Sequence, residues 1–131
     1  MTAAIIVHGG AGEIEDARRD GCVAGCEAAA AAGWALLDGG GSALDAVEAA
    51  VRALEDDPQF NAGFGAVLSR AGTIEVDACV MTGARAIGAV GGVPWLRHPV
   101  TLARRVLEDG EHVLLVGDGA LAFARELGIE P

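Results

Sequence analysis

The residues that invite a chemical reading lie between Leu54 and Gly65, in the run Leu54-Glu55-Asp56-Asp57-Pro58-Gln59-Phe60-Asn61-Ala62-Gly63-Phe64-Gly65. A helix-like stretch of Leu, Ala and Val ends there on three consecutive acids and enters a glycine-rich loop. Free carbonyls at a helix C-terminus already carry partial negative charge, so Glu55, Asp56 and Asp57 add like charge where Lys or Arg is expected. A hard cation held by main-chain carbonyls and a carboxylate removes the conflict, because alkali and alkaline-earth ions prefer oxygen ligands. A solvated acidic helix end stopped by Pro58 accounts for the same residues without any ion. Asn61 is the sole Asn of the chain. Its amide can donate and accept at once, so it either holds an unusual backbone ahead of Gly63 or points at a ligand.

A second candidate is His8-Gly9-Gly10-Ala11-Gly12, directly after the apolar run Ala3-Ala4-Ile5-Ile6-Val7. The run reads as a buried strand feeding a glycine loop. The spacing fits neither a dinucleotide fingerprint nor a P-loop. An oxyanion segment of the esterase kind needs a Gly-x-Ser-x-Gly elbow, and neither Ser42 nor Ser69 sits in one. What remains is a loop in which backbone approaches something closely, which glycine alone permits. Cys22, Cys26 and Cys79 show no framework spacing and read as reduced core cysteines. His8, His98 and His112 are too far apart in sequence to suggest a zinc site.

Composition narrows the function classes. The chain has 131 residues, 52% of them hydrophobic and 4% aromatic, with twenty Gly, which implies one globular unit packed through small side chains. A net charge of -10, with scattered Arg as the only strong base, argues against nucleic acid and against an anionic membrane as partner. No signal peptide and no apolar run of bilayer length is visible, so a cytoplasmic location is expected.

The elements that must position these residues follow from periodicity. Glu15 to Leu37 reads as a helix with Gly21, Gly25, Ala28, Ala29 and Ala32 spaced for close packing and with Trp34 and Leu37 as bulk. Gly39-Gly40-Gly41 breaks it. Ser42 with Asp45 resembles a capping box, and Leu44, Val47, Val51 and Leu54 give the next helix an apolar face. The period then becomes two: Ala66 to Arg70 and Thr73 to Met81 read as a hairpin turning at Ala71-Gly72, and Ala86 to Val90 as a third strand. Pro99 opens a helix that Gly110 ends, His112 to Val116 reads as a strand, and Ala120 to Leu127 as a last helix. The order favours layered α/β architecture with an antiparallel portion.

Five blocks in order, Val7-His8-Gly9-Gly10-Ala11-Gly12, Gly41-Ser42-Ala43-Leu44-Asp45-Ala46-Val47, Phe60-Asn61-Ala62-Gly63-Phe64-Gly65, Asp77-Ala78-Cys79-Val80-Met81 and Gly88-Ala89-Val90, resemble the plant-type asparaginase and isoaspartyl peptidase family. The resemblance covers nearly the whole chain. It implies an α+β fold of the N-terminal nucleophile hydrolase type, a four-layer αββα sandwich, of which residues 1–131 supply the α-subunit portion. In that family a precursor cleaves itself, and the Thr so released heads a β subunit and is the nucleophile. The sequence ends at Pro131, ahead of such a residue, so it is expected to be the α subunit of an αβ unit that pairs to (αβ)2. Thr2 is the rival nucleophile, exposed if Met1 is removed. Thr73, Thr82 and Thr101 are internal and suit turn, strand and helix roles.

The implied activity is hydrolysis of the side-chain amide of L-asparagine, or of β-aspartyl peptides, through an acyl-enzyme. Residue by residue, the resemblance places Asn61 beside the nucleophile, makes Gly9 and Gly10 the loop that rearranges around self-cleavage and substrate, and makes Leu54, Glu55, Asp57, Phe60, Ala62 and Phe64 a loop that holds a structural sodium ion mainly through carbonyl oxygens. No organic cofactor is implied. Two positions depart from the family pattern: Thr82 follows Met81 where Asp is usual, and His98 precedes Pro99 where Asn is usual. Both suit turn or helix-entry sites. A reading from another class is a non-enzymatic α/β binding module whose acidic glycine loop holds a cation or small ligand.

Overall fold

The structure is a computed structural model that describes residues 3–129. Its contacts divide the chain into two compact units, Met1–Gly65 and Ala66–Pro131.

The first unit is a pair of packed helices with two loops. Helix α1 spans Asp16–Asp38 and α2 spans Ala43–Asp56. After α1, the amides of Gly39, Gly40 and Gly41 donate to the carbonyls of Ala35, Leu37 and Leu36, which satisfies the free end of the helix. The expected capping box is present: Asp45 N–H donates to Ser42 Oγ at 3.1 Å and Ser42 N–H donates to Asp45 Oδ2 at 3.1 Å. Such a cap contributes about 1 kcal/mol.

The two helices meet through small residues. A Cβ on Gly33 of α1 would stand 2.8 Å from the Ala46 carbonyl and 3.3 Å from the Ala50 side chain, so the backbones approach as closely as glycine allows. The apolar stripe expected on α2 stands in part, with Leu44, Val51 and Leu54 half-buried. Ala46 and Ala50 are its buried apolar residues, whereas Val47 is 41% exposed, and Trp34 of α1 is exposed as well. Close approach selects alanine and glycine at the seam and moves bulk to its flanks.

Two expected strands do not form. Ala3 to Val7 joins no ladder, although its burial alternates, with Ile5 and Val7 half-buried and Ile6 95% exposed. Ala66 to Arg70 also stays irregular, with Val67 and Leu68 exposed. Its turn is in place: Ser69 N–H donates to the Thr73 carbonyl at 2.7 Å and Gly72 has φ +78°. Strand character requires a ladder partner along the run, and neither run joins a ladder among the described residues.

In the second unit β1 (Glu75–Met81) and β2 (Ile87–Pro94) are antiparallel, and β3 (Leu114–Val116) lies parallel to β2 in the order β1-β2-β3. The chain turns between β1 and β2 at Thr82, whose hydroxyl accepts from Ala86 N–H at 3.1 Å. A bulge at Gly91–Gly92 of β2, opposite Asp77 of β1, lets β2 run on to Pro94 rather than end at Val90. The register jumps from Val76↔Val93 to Ala78↔Val90, Gly92 takes φ +56°, and Asp77 Oδ1 accepts its amide at 2.7 Å.

Helix α3 (Pro99–Asp109) packs on β1 and β2, and α4 (Gly117–Glu126) packs on β2 and β3. Pro99 and Gly110 open and close α3 as expected, Gly110 in the left-handed conformation. Val76, Val80, Val90 and Val93 lie buried with Leu102, Ala103 and Val106. A Cβ on Gly88 would press on Leu107 of α3, which fixes how near that helix lies to the sheet. The opposite face of the sheet carries Cys79, Met81, Leu114 and Val116 and is bare. Among the described residues no helix is long and apolar enough to cross a membrane.

Candidate active site

The first unit brings the two chemically suggestive segments into contact. Gly9 lies on the ring of Phe60, since a Cβ there would stand 2.6 Å from Phe60 Cε1 and 2.7 Å from Cys26 Sγ. Gly10 has φ +123°, and its amide donates to His8 Nδ1 at 3.2 Å, so the loop is folded on itself. Asn61 follows Phe60 directly and is exposed. Its backbone is not left-handed, because among the described residues Arg85 is the only non-glycine with positive φ.

Helix α1 supplies the floor. Gly21 lies under Gln59, and Gly25 lies under Asp57 and Phe60, so the glycines at one-turn spacing are the places where the loop rests on the helix. Arg18, one turn earlier, donates from Nη2 to the Gln59 carbonyl at 2.5 Å and from Nε to Gln59 Oε1 at 3.3 Å. A positive charge therefore does sit at the acidic loop, supplied from α1. Asp57 Oδ1 accepts from Gln59 N–H at 2.9 Å, which closes the turn over Pro58.

The acids differ in environment. Glu55 is 2% exposed, Asp57 is half-buried and Asp56 faces solvent. A wholly solvated acidic helix end does not describe this stretch. Among the described residues no buried side-chain oxygen or nitrogen lacks a hydrogen-bond partner, so the buried Glu55 carboxylate is satisfied.

The loop backbone is tightly curled. Asp57 N–H donates to Leu54 O, Phe60 N–H to Asp57 O, Ala62 N–H to Phe60 O and Gly65 N–H to Ala62 O, at 2.9 to 3.3 Å. Each of those carbonyls keeps a second lone pair. A Cβ on Gly65 would run into the Phe60 carbonyl oxygen and stand 3.1 Å from that of Asp57, so two carbonyls converge on a space that only glycine leaves open. Curled carbonyls beside a buried carboxylate offer oxygen alone, the donor set of a hard cation. Phe64 is 59% exposed and lies in the single 3-10 turn Gly63–Gly65.

A different set of possible metal ligands occurs in the second unit. Asp109, Glu111 and His112, all exposed, bring ligand atoms within 4.8 Å of one another after α3. Sequence spacing among histidines alone does not reveal it. Thr2 lies outside the described residues.

The Asparaginase family model matches residues 1–131, the whole chain. This chain belongs to the asparaginase family. A plant-type L-asparaginase of Thermococcus kodakarensis is 52% identical to it over 130 residues, 98% of this chain and 42% of that protein. The plant-type L-asparaginase of Pyrococcus abyssi is 50% identical over 127 residues, 95% of this chain and 41% of that protein. The human isoaspartyl peptidase/L-asparaginase is 46% identical over 131 residues, again 98% and 42%. The chain thus spans about two-fifths of the length of these relatives.

Within this asparaginase-family chain the two departures have structural roles. Thr82 closes the turn between β1 and β2 by accepting from Ala86 N–H, a bond an Asp carboxylate can also accept. His98 is the N-cap residue of α3 and makes no side-chain cap bond. Sequence reasoning missed Arg18 and the bulge role of Asp77. The signal for Asp77 was the Gly91-Gly92 pair interrupting an alternating strand. Nothing in the sequence pairs Arg18 with Gln59, forty-one positions away.

Proposed function

We propose that this chain is the α-subunit part of an amidohydrolase that cleaves the side-chain amide of L-asparagine, β-aspartyl peptides, or both. The carrying observation is the contact of Gly9 with the ring of Phe60, the residue that precedes Asn61 in the chain. Family membership, the relatives' names and the chain's span of about two-fifths of their length support the same reading. The bare apolar face of the sheet, with Met81 at 59% and Leu114 at 54% exposed, suits the inner face of an αββα sandwich, in which a β subunit provides the second sheet.

In this reading the N-terminal Thr of the β subunit is the nucleophile. Its hydroxyl attacks the amide carbonyl while its own α-amine takes the proton, since an amine titrates near neutral pH and an alcohol does not. Collapse of the tetrahedral intermediate, with that proton passed from the amine to the departing nitrogen, releases ammonia, or an amino acid from a β-aspartyl peptide. Water then cleaves the aspartyl ester and restores the hydroxyl. Asn61, exposed and next in the chain to Phe60, orients the Thr amine and hydroxyl by donating and accepting together. Gly9 and Gly10 let the backbone come close to the reacting groups.

Leu54, Glu55, Asp57, Phe60, Ala62 and Phe64 would hold a sodium or similar alkali ion, mainly through carbonyl oxygens. Bound there, such an ion would add to the positive charge that Arg18 brings to the acidic loop and would stiffen the segment carrying Asn61. The αβ unit pairs to (αβ)2. Intact mass of the protein purified from its full precursor tests the reading. Two polypeptides, the second beginning with Thr, are expected; a single uncleaved chain that hydrolyses neither substrate favours a binding module instead.

A further inference from the structure

The ring of Phe60 is held on both edges. On one side a Cβ at Gly9 would stand 2.6 Å from Cε1 and 3.3 Å from Cδ1; on the other a Cβ at Gly25 would stand 2.6 Å from Cε2 and 2.9 Å from Cζ. The ring thus fills the space of two missing side chains, one on the glycine loop and one on α1. It is 6% exposed, so water does not lubricate either contact. Its own backbone is pinned as well, with Phe60 N–H donating to the Asp57 carbonyl at 3.2 Å and the Phe60 carbonyl accepting from Ala62 N–H at 2.9 Å.

We propose that Phe60 is a positioning residue whose ring, wedged between Gly9 and Gly25, fixes the glycine loop and Asn61 in register with each other. The inference rests on the proposed hydrolase function and deepens it. Phe60 touches no reacting atom. It acts because aromatic rings are flat and stiff, with two torsions to lock, so a ring clamped on both edges transmits the position of α1 to both segments. A branched aliphatic side chain retains apolar bulk but cannot span both edges. Register matters because misplacement of catalytic groups by about 1 Å costs on the order of a hundredfold in rate.

The test compares Phe60→Leu with Ala50→Gly in the assembled protein. Ala50 is buried at the α1–α2 seam, so its loss lowers stability in the same unit without touching Phe60 or Gly9. Both variants are assayed below their melting temperatures, with amide hydrogen exchange alongside. For Phe60→Leu the expected result is a kcat lowered roughly ten- to hundredfold with KM changed far less, and faster exchange in residues 8–10 and 61–63 together while residues 29–37 of α1 stay protected. For Ala50→Gly the expected result is a lower Tm with kcat retained. Equal kcat in the two variants, or exchange that quickens uniformly over the unit, overturns the proposal. If the wild-type protein hydrolyses neither asparagine nor a β-aspartyl dipeptide, the functional reading fails, and the exchange comparison still decides whether Phe60 couples the two segments.

Discussion

Gly25 lies against the carboxylate of Asp57: a Cβ on this α1 glycine would stand 2.6 Å from Asp57 Oδ2. The acid that follows α2 is therefore packed onto α1, with its other oxygen occupied by Gln59 N–H. Gly25→Ala is expected to destabilise the protein by about 1–3 kcal/mol, the usual cost of overpacking, even though alanine favours helix. Thermal unfolding of the assembled protein measures it, and a Tm at or above wild type contradicts the packing described.

Asn61→Asp tests the side-chain role of Asn61. The two residues share a shape, but at neutral pH the carboxylate only accepts, and its charge raises the pKa of a neighbouring amine. A proton-accepting amine must be neutral, so the low-pH limb of the rate profile is expected to move to higher pH. Turnover at neutral pH is expected to fall roughly a hundredfold with Tm unchanged. Wild-type turnover reduces Asn61 to a turn residue.

The cation is testable without activity. A ligand that binds only the folded state at a hundred times its Kd adds about 2.7 kcal/mol, so Tm is expected to be higher in sodium than in a bulky organic cation at the same ionic strength. A Tm indifferent to the exchange removes the ion from the account. Because Arg18 already brings positive charge to Gln59, that outcome has a ready structural basis.

Helices were the most legible part of this chain, because their start and stop residues act locally. Ser42 with Asp45, Pro99 and Gly110 mark ends that the structure places within a residue or so of expectation. Strands were less legible for the opposite reason. Ala3 to Val7 and Ala66 to Arg70 have strand composition, but strand identity depends on a ladder partner, and neither run joins a ladder among the described residues. The site was half legible. Glycines and acids announced a loop with something to hold, yet its seating on Gly21 and Gly25 and its tie to Arg18 depend on which face of α1 turns toward the loop. Small residues on every side of α1 hide that face from periodicity.

Glu108, in the second unit, offers a pH-dependent control. Its carboxylate accepts from Arg104 Nε at 2.7 Å and from Arg105 Nη1 at 3.0 Å, and the hydrogen bonds to Arg104 and then Arg105 hold its pKa below the ordinary carboxylate value. A depressed pKa means stability that is present above the ordinary carboxylate range and lost as pH falls through the folded-state value. The pairs are partly exposed, so screening keeps their worth near about 0.5 kcal/mol. Glu108→Gln is expected to lower Tm slightly at pH 7, with the difference from wild type vanishing in acid. A difference that persists at low pH assigns the loss to packing.

The central claim is that these residues supply one side of a hydrolytic site whose nucleophile belongs to a second chain. Ammonia release from L-asparagine, and cleavage of a β-aspartyl dipeptide, measured in parallel on the isolated 131-residue chain and on the protein assembled from the full precursor, tests it most directly. The account predicts turnover by the assembled protein and none by the isolated chain. Hydrolysis of asparagine by the isolated chain, at a rate matching the assembled protein, contradicts it.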